Sequence, residues 1–323
     1  MRILSLLPSA TEIVYLLGLE DSLVGISHEC DYPPQVRTKP VISASSLSSS
    51  FRSNEVHDAV KRHSHSSHSL YRIDEKLLRE LHPDLILTQE LCNVCAISAG
   101  QVREAARILT GPCRIVSLEP HNLRQILDTI LIVGEETARK DKAAAVVLDL
   151  ERRVGRIRSA TCSVRTRPKV FCMEWMDPIM AGGHWVPEMV QLAGGQDNLG
   201  QARELSLAID WDHVVQYQPE VLVMMPCGYK IRRTLSEVDR LASKPGWFDL
   251  PAVRAGRVYI VDSPAYFSRP GPRIVTGLEI LAQILHPELF HGLTPPESAV
   301  KLDWNGVSPQ GSAAMPSRFL PVT

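Results

Sequence analysis

The chain has 323 residues, a length that fits two domains at roughly 100–200 residues each. Lys plus Arg (35) nearly cancels Asp plus Glu (36), so the positive excess needed to bind nucleic acid or an anionic membrane is missing. An apolar share of 44% excludes wholesale disorder, and no apolar run reaches the roughly 18 residues of a membrane span.

Seven cysteines are an odd number in a long chain, which excludes a disulfide-stapled miniprotein and reads as reduced thiols. The leucine-rich start carries Arg2, but Pro8 and Glu12 interrupt it and no small-x-small cleavage site precedes Glu20. It therefore reads as no signal peptide. The expected location of the chain as written is the cytoplasm; a periplasmic or extracytoplasmic one would need an incomplete N-terminus.

Residues 2–7 read as a strand. Ser9 and Glu12 have capping-box spacing, Ile13, Leu16 and Leu17 form a helical face, and Gly18 ends it. Residues 22–27 read as a second strand. Residues 43–69, with Lys-Arg-His-Ser-His-Ser-Ser-His-Ser at their end, read as a solvated Ser/His-rich loop. Asp74 reads as an N-cap for a helix through Leu81, Pro83 stops it, and residues 85–87 form a buried strand. A helix at 99–109 and a strand at 115–118 follow. From His121 to about Arg158 there is no Pro, and apolar residues recur at helical spacing, which predicts one bridging helix over 120–160, roughly 50–60 Å long.

The α/β pattern then restarts, with strands at 170–173, 221–225 and 257–261 and helices at 184–192, 210–217 and 272–285. Residues 291–323 read as a loose tail. The segment Leu78-x-x-Leu81-His-Pro83-Asp84 is echoed by Val214-x-x-Tyr217-Gln-Pro219-Glu220, each before a buried strand, which points to duplication. The fold class is therefore α/β: two Rossmann-like lobes, 1–119 and 161–290, bridged by a long helix, with a ligand cleft between them.

Four segments at strand ends carry candidate chemistry. His28, Glu29, Cys30, Asp31 and Tyr32 follow the second strand and combine soft ligands with acceptors. Cys92-Asn-Val-Cys95 is a lone C-x-x-C; with Cys30 it could hold zinc or iron through thiolates. Trp175, His184 and Trp185 flank Gly182-Gly183 and suit a flat, largely apolar ligand, with His184 able to ligate a metal within it. Tyr266, Phe267, Arg269 and Arg273 offer stacking and carboxylate or phosphate recognition. Glycine-rich phosphate loops and a G-x-S-x-G elbow are absent, so no enzyme is expected. Two rivals remain: a cytosolic metal or corrinoid handler using Cys30, Cys92 and Cys95, and a metal-dependent hydrolase with Glu29 or Asp31 as base.

The opening Arg2-Ile-Leu-Ser-Leu-Leu-Pro8-Ser9-Ala10-Thr11-Glu12 resembles the substrate-binding proteins of ABC importers for cobalamin and ferric siderophores. Gly25-x-Ser-His28-Glu29-Cys30-Asp31-Tyr32-Pro33-Pro34 and His82-Pro83-Asp84-Leu-Ile extend the resemblance, which runs over roughly residues 2–287. It implies two Rossmann-like lobes on one long helix and a metal-containing ligand in the cleft, cobalamin or a related corrinoid first, a ferric siderophore or haem otherwise. No resident cofactor is implied. The implied partners are the small-molecule ligand and an ABC permease, without nucleic acid. Permease docking by one acid per lobe falls on Asp212 in the second lobe and, in the first, on Lys76 with Glu75 beside it.

Overall fold

The computed structural model describes residues 1–48, 50–64, 70–89, 99–109, 111–304 and 318–322. The first lobe runs β1 (Ile3–Ser5), α1 (Pro8–Leu16), β2 (Leu23–Ile26), β3 (Ser43–Ser45), α2 (Ser53–Ser64), β4 (Tyr71–Ile73), α3 (Glu75–Leu81), β5 (Leu85–Thr88), α4 (Ala99–Ala106) and β6 (Arg114–Ser117). Its sheet is parallel in the order β2-β1-β5-β6, with β3 and β4 paired separately and antiparallel. Two helices follow, α5 (Leu123–Glu136) and α6 (Lys140–Thr161).

The second lobe runs β7 (Val170–Met176), β8 (Ile179–Ala181), α7 (Val186–Leu192), α8 (Trp211–Tyr217), β9 (Val221–Met224), α9 (Ile231–Leu235), α10 (Val238–Ala242), α11 (Pro251–Arg254), β10 (Val258–Val261), α12 (Ser263–Tyr266), α13 (Ile274–Leu285), β11 (Ala299–Asp303) and β12 (Arg318–Pro321). Its sheet has the order β12-β11-β10-β9-β7-β8, parallel through β10, β9 and β7 and antiparallel at both edges. The α/β two-lobed expectation holds.

The core explains how the lobes are joined. Alternate residues of the buried strands face opposite sides of each sheet. Ile3 and Leu7 of the first lobe, Val170 and Val221 of the second, and Ile126, Ile130 and Leu150 of α5 and α6 belong to one continuous apolar core. Leu4 and Ile86 enter a separate core on the outer face of lobe one, and Phe171 and Leu222 one on the outer face of lobe two.

The expected single helix over 120–160 is two helices folded back on each other. Arg124 of α5 pairs with Glu151 of α6, although a continuous helix would hold them about 40 Å apart. The turn places Ala138 in the left-handed region (φ 56°), and Gly134 has no room for a Cβ against Ala143. α5 packs on α1, and α6 packs on α13 and α7. Arg153 of α6 fixes the second contact, bonding Glu279 at 2.9 and 2.6 Å and Thr276 at 2.8 Å.

Three further expectations are corrected. The segment after residue 290 is not all loose tail: β11 pairs with β10, and Trp304 packs edge-on to buried Trp247. Residues 43–69 contain β3 and α2 rather than loop alone; His65 and His68 lie outside the described residues. Ser9 is not an N-cap. Leu7 holds that position without a side-chain bond, Pro8 occupies the first turn where no N–H is needed, and Glu12 faces the other lobe.

The sequence echo is a structural repeat. α3 ends at His82 (φ 39°) and α8 at Gln218 (φ 52°), both left-handed. Asp84 then accepts the Arg2 amide at 2.6 Å, as Glu220 accepts the Lys169 amide at 2.9 Å. The Arg2 guanidinium bonds the Leu81 carbonyl, and the Lys169 ammonium bonds that of Tyr217.

Candidate functional site

The carboxyl ends of both parallel sheets carry the loops that meet between the lobes. One edge of this junction is an ionic clamp. Arg273 donates to Glu12 at 2.9 and 2.6 Å, a bidentate pair with Glu12 only 6% exposed. Burial pushes the Glu12 carboxyl above its ordinary value against the pull of Arg273. For Arg273, burial works against the charge, yet the Glu12 bonds hold it firmly protonated. The guanidinium also lies 3.9 Å from the centroid of the Tyr32 ring and 5.7 Å from that of Tyr266. Next to it, Arg269 bonds Asp31 at 2.5 Å and the Glu29 carbonyl at 2.9 Å. Burial would raise the Asp31 carboxyl, but Arg269, Lys230 and Arg273 together hold it below the usual range. A cavity of about 420 Å³ opens beside the clamp, walled by Glu12, Tyr32 and Arg273 and floored by Lys142, Val146 and Asp149 of α6.

The other edge is closed by the start of α2. Ser53, fully buried, gives its amide (3.1 and 3.2 Å) and hydroxyl (2.5 Å) to the Glu237 carboxylate of the opposite lobe. The Trp175 indole donates to the Ser53 carbonyl at 3.2 Å, Arg233 to the Phe51 carbonyl at 2.7 Å, and Arg240 to Asn54 at 3.0 Å. Trp175 packs edge-on to Tyr229, whose ring lies under Arg233. A cavity of about 220 Å³ lies beside this contact, lined by Ser53, Asp177, Glu237 and Arg240.

Two half-buried histidines sit at the strand ends. His28 leans on Tyr71 and bonds Ser43 Oγ through Nδ1 at 2.7 Å, while its Nε2 has no hydrogen-bond partner. Burial lowers its pKa, against the pull of Glu29. The His28 amide also donates to Ser43 Oγ, and the ring Nε2 lies 3.6 Å from a Glu29 carboxylate oxygen. His184 occupies a left-handed conformation (φ 51°), stacks on Trp185, and leaves Nδ1 without a partner. Burial first, then the charge of His121, pushes its pKa down, so the neutral, metal-ligating imidazole is favoured at neutral pH.

The remaining sequence candidates separate by burial. Trp185 and Phe267 are core: the indole donates to the Phe267 carbonyl at 2.8 Å, and the residues are 4% and 1% exposed. Cys30 is buried, bonded to Thr11 and Ser27, and burial pushes its thiol up, away from the thiolate a metal needs. Cys92 and Cys95 lie outside the described residues, among which no group of three or more His, Cys, Asp or Glu could hold a metal. Glu75 and Asp212 are exposed in the first turns of the repeated helices α3 and α8. Sequence reasoning missed Glu237, Ser53 and Glu174. Ser53 and Glu237 meet across 184 residues, Glu174 bonds residues 183 and 206 in two separate loops, and no local pattern marks any of the three.

Comparison with known proteins assigns this arrangement. The sequence profile of the periplasmic binding proteins matches residues 3–265. The chain belongs to the periplasmic binding protein family. An uncharacterised ABC transporter substrate-binding lipoprotein of Bacillus subtilis is 25% identical over 295 residues, covering 90% of this chain and 81% of that protein. A vitamin B12-binding protein of Vibrio cholerae is 26% identical over 286 residues, covering 86% of each chain. Among solved structures, the periplasmic vitamin B12-binding protein of Vibrio cholerae superposes with a TM-score of 0.63 at 22% identity, covering 88% of this chain and 96% of that one. A periplasmic haem-binding protein of Pseudomonas aeruginosa gives 0.66 at 18% identity, covering 89% and 93%. These structural likenesses establish the shared two-lobed fold. Membership of this family makes the chain a substrate-binding component of ABC-type uptake. It also corrects the cytoplasmic expectation, because the family is periplasmic and one relative is a lipoprotein, which places such proteins outside the cytoplasm.

Proposed function

We propose that the cleft between the lobes binds a metal-centred macrocycle, cobalamin or a related corrinoid first, and delivers it to an ABC permease outside the cytoplasm. The observation that carries this reading is His184: a neutral-favoured imidazole with one unpartnered nitrogen, held in a left-handed backbone at the strand ends. Trp175, backed by buried Tyr229, and Tyr266 supply partly exposed flat apolar surface for a large ring. Arg269 and the His28–Tyr32 loop border the same space and suit the polar rim of such a ligand. The vitamin B12-binding relative supports the choice of corrinoid.

Haem is the second reading, favoured by the same imidazole and by the haem-binding structural neighbour. Exposed Glu75 and Asp212, in equivalent helical turns, are the proposed docking acids for the permease. Equilibrium dialysis of the purified chain against cyanocobalamin, ferric haem and a ferric hydroxamate tests the reading. Retention of about one equivalent of cobalamin or haem is expected; retention of none of the three would refute it.

A further inference from the structure

Residues 181–184 do not stand alone. The Ala181 amide bonds the Leu207 carbonyl at 3.0 Å, the His184 amide bonds the Glu204 carbonyl at 2.6 Å, and the Arg203 amide bonds the His184 carbonyl at 2.7 Å. The segment 203–207 thus runs alongside the loop and pins it. Gly183 lies against this second segment so closely that a Cβ would fall 2.5 Å from the Ser206 amide nitrogen and 2.8 Å from the Glu204 carbonyl oxygen. Close contact of this kind accounts for glycine at 183, and the same pairing holds His184 in a left-handed backbone (φ 51°) that a non-glycine residue adopts only where its surroundings impose it.

One side chain reaches both segments from beneath. Glu174, near the end of β7, accepts the Gly183 amide through Oε1 at 3.3 Å and the Ser206 hydroxyl through Oε2. Its own backbone is fixed, since the Cys227 amide donates to the Glu174 carbonyl at 3.0 Å. A carboxylate has two acceptor oxygens, and here each one serves a different segment.

We propose that Glu174 is a positioning residue: by tying residue 183 to residue 206 it fixes the loop that carries His184 and so sets the orientation in which the imidazole would meet a metal-centred ligand. This rests on the reading of His184 given above. The role is distinct from contact with ligand, because the carboxylate is occupied by protein donors on both oxygens. Burial also pushes the Glu174 carboxyl up to about 7, with Asp197 adding to the rise, which marks how enclosed the tie is.

The test uses the full chain without ligand. The His184 ring resonance, assigned by its loss in His184→Ala, is followed by NMR against pH, together with amide exchange at 183–184 and 204–206. In Glu174→Ala and in Ser206→Ala the His184 midpoint should rise toward about 6.5, because the ring gains solvent. Exchange at those amides should accelerate about fivefold to tenfold, the effect of one lost hydrogen bond. Glu174→Gln, which keeps an acceptor for residue 183 and a donor for Ser206, should restore both readouts. If Glu174→Ala does not fold, Ser206→Ala carries the test. An unmoved His184 midpoint in Ser206→Ala overturns the proposal, as does a Glu174→Gln variant indistinguishable from Glu174→Ala. Aquocobalamin added to wild type separates the two claims: no spectral change there refutes the ligand reading and leaves the positioning result standing.

Discussion

Removing one half of the Glu12–Arg273 clamp should cost far more than removing both halves. Glu12 is 6% exposed and receives two charge-assisted bonds, at 2.9 and 2.6 Å. Arg273→Met leaves that buried carboxylate without its bonded partner and with only the more distant charge of Arg269, and breaking such a pair costs about 3–5 kcal/mol. At about 2.1 cal/mol/K per residue, 323 residues give an unfolding entropy near 0.7 kcal/mol/K, so about 4 kcal/mol lowers Tm by about 6 °C. Part of that loss is the guanidinium's stacking on Tyr32. Glu12→Leu with Arg273→Met removes both charges and should return to within about 1–2 kcal/mol of wild type. Urea unfolding of the two single variants and the double measures the coupling directly. Single variants that each cost under 1 kcal/mol, or a double that costs their sum, would refute the reasoning.

Other predictions follow from the same geometry. Glu237→Ala should leave Ser53 without its acceptor and speed amide exchange at residues 51–56 by about tenfold or more, with little change at the Glu12–Arg273 edge; hydrogen-exchange mass spectrometry reads this. Glu174 and Asp197 have carboxyl pKa values pushed up to about 7 and about 6, mainly by burial. At these two sites the folded chain holds more protons than the unfolded chain between about pH 4 and 7, so their contribution to stability falls as pH rises through that window. Glu174 alone contributes up to about 3 kcal/mol of this fall, so the urea midpoint should be higher at pH 5 than at pH 8, and Glu174→Gln should flatten the slope. His82→Gly, at an exposed left-handed helix end, should raise stability by up to about 1 kcal/mol in the same assay.

Local chemistry made the repeat legible. Leu81-His82-Pro83-Asp84 and Tyr217-Gln218-Pro219-Glu220 announced a helix end, a turn and a buried strand, whereas the partner of each acid, the amide that starts the neighbouring strand, lies 82 and 51 residues away. Asp74 likewise caps α3 as its spacing predicts. What stayed hidden depends on distance or on absent signals. The α5–α6 turn uses Ala138 in a conformation that Gly or Asn ordinarily marks, so apolar periodicity ran straight through it. Glu12 has capping-box spacing, yet its partner lies 261 residues away. Trp185 and Phe267 looked like ligand contacts because they sit beside strand ends, but each is turned inward and the indole is satisfied by a carbonyl. His184 was visible as a residue type next to two glycines; its strained backbone and the carboxylate beneath it needed the fold.

The most direct test of the ligand account is an absorbance titration of the purified chain with aquocobalamin, repeated with His184→Ala. The account predicts saturable binding with a spectral shift as imidazole replaces the axial water, and loss of that shift in the variant. Absence of binding at high micromolar protein, for aquocobalamin and for ferric haem alike, would contradict it.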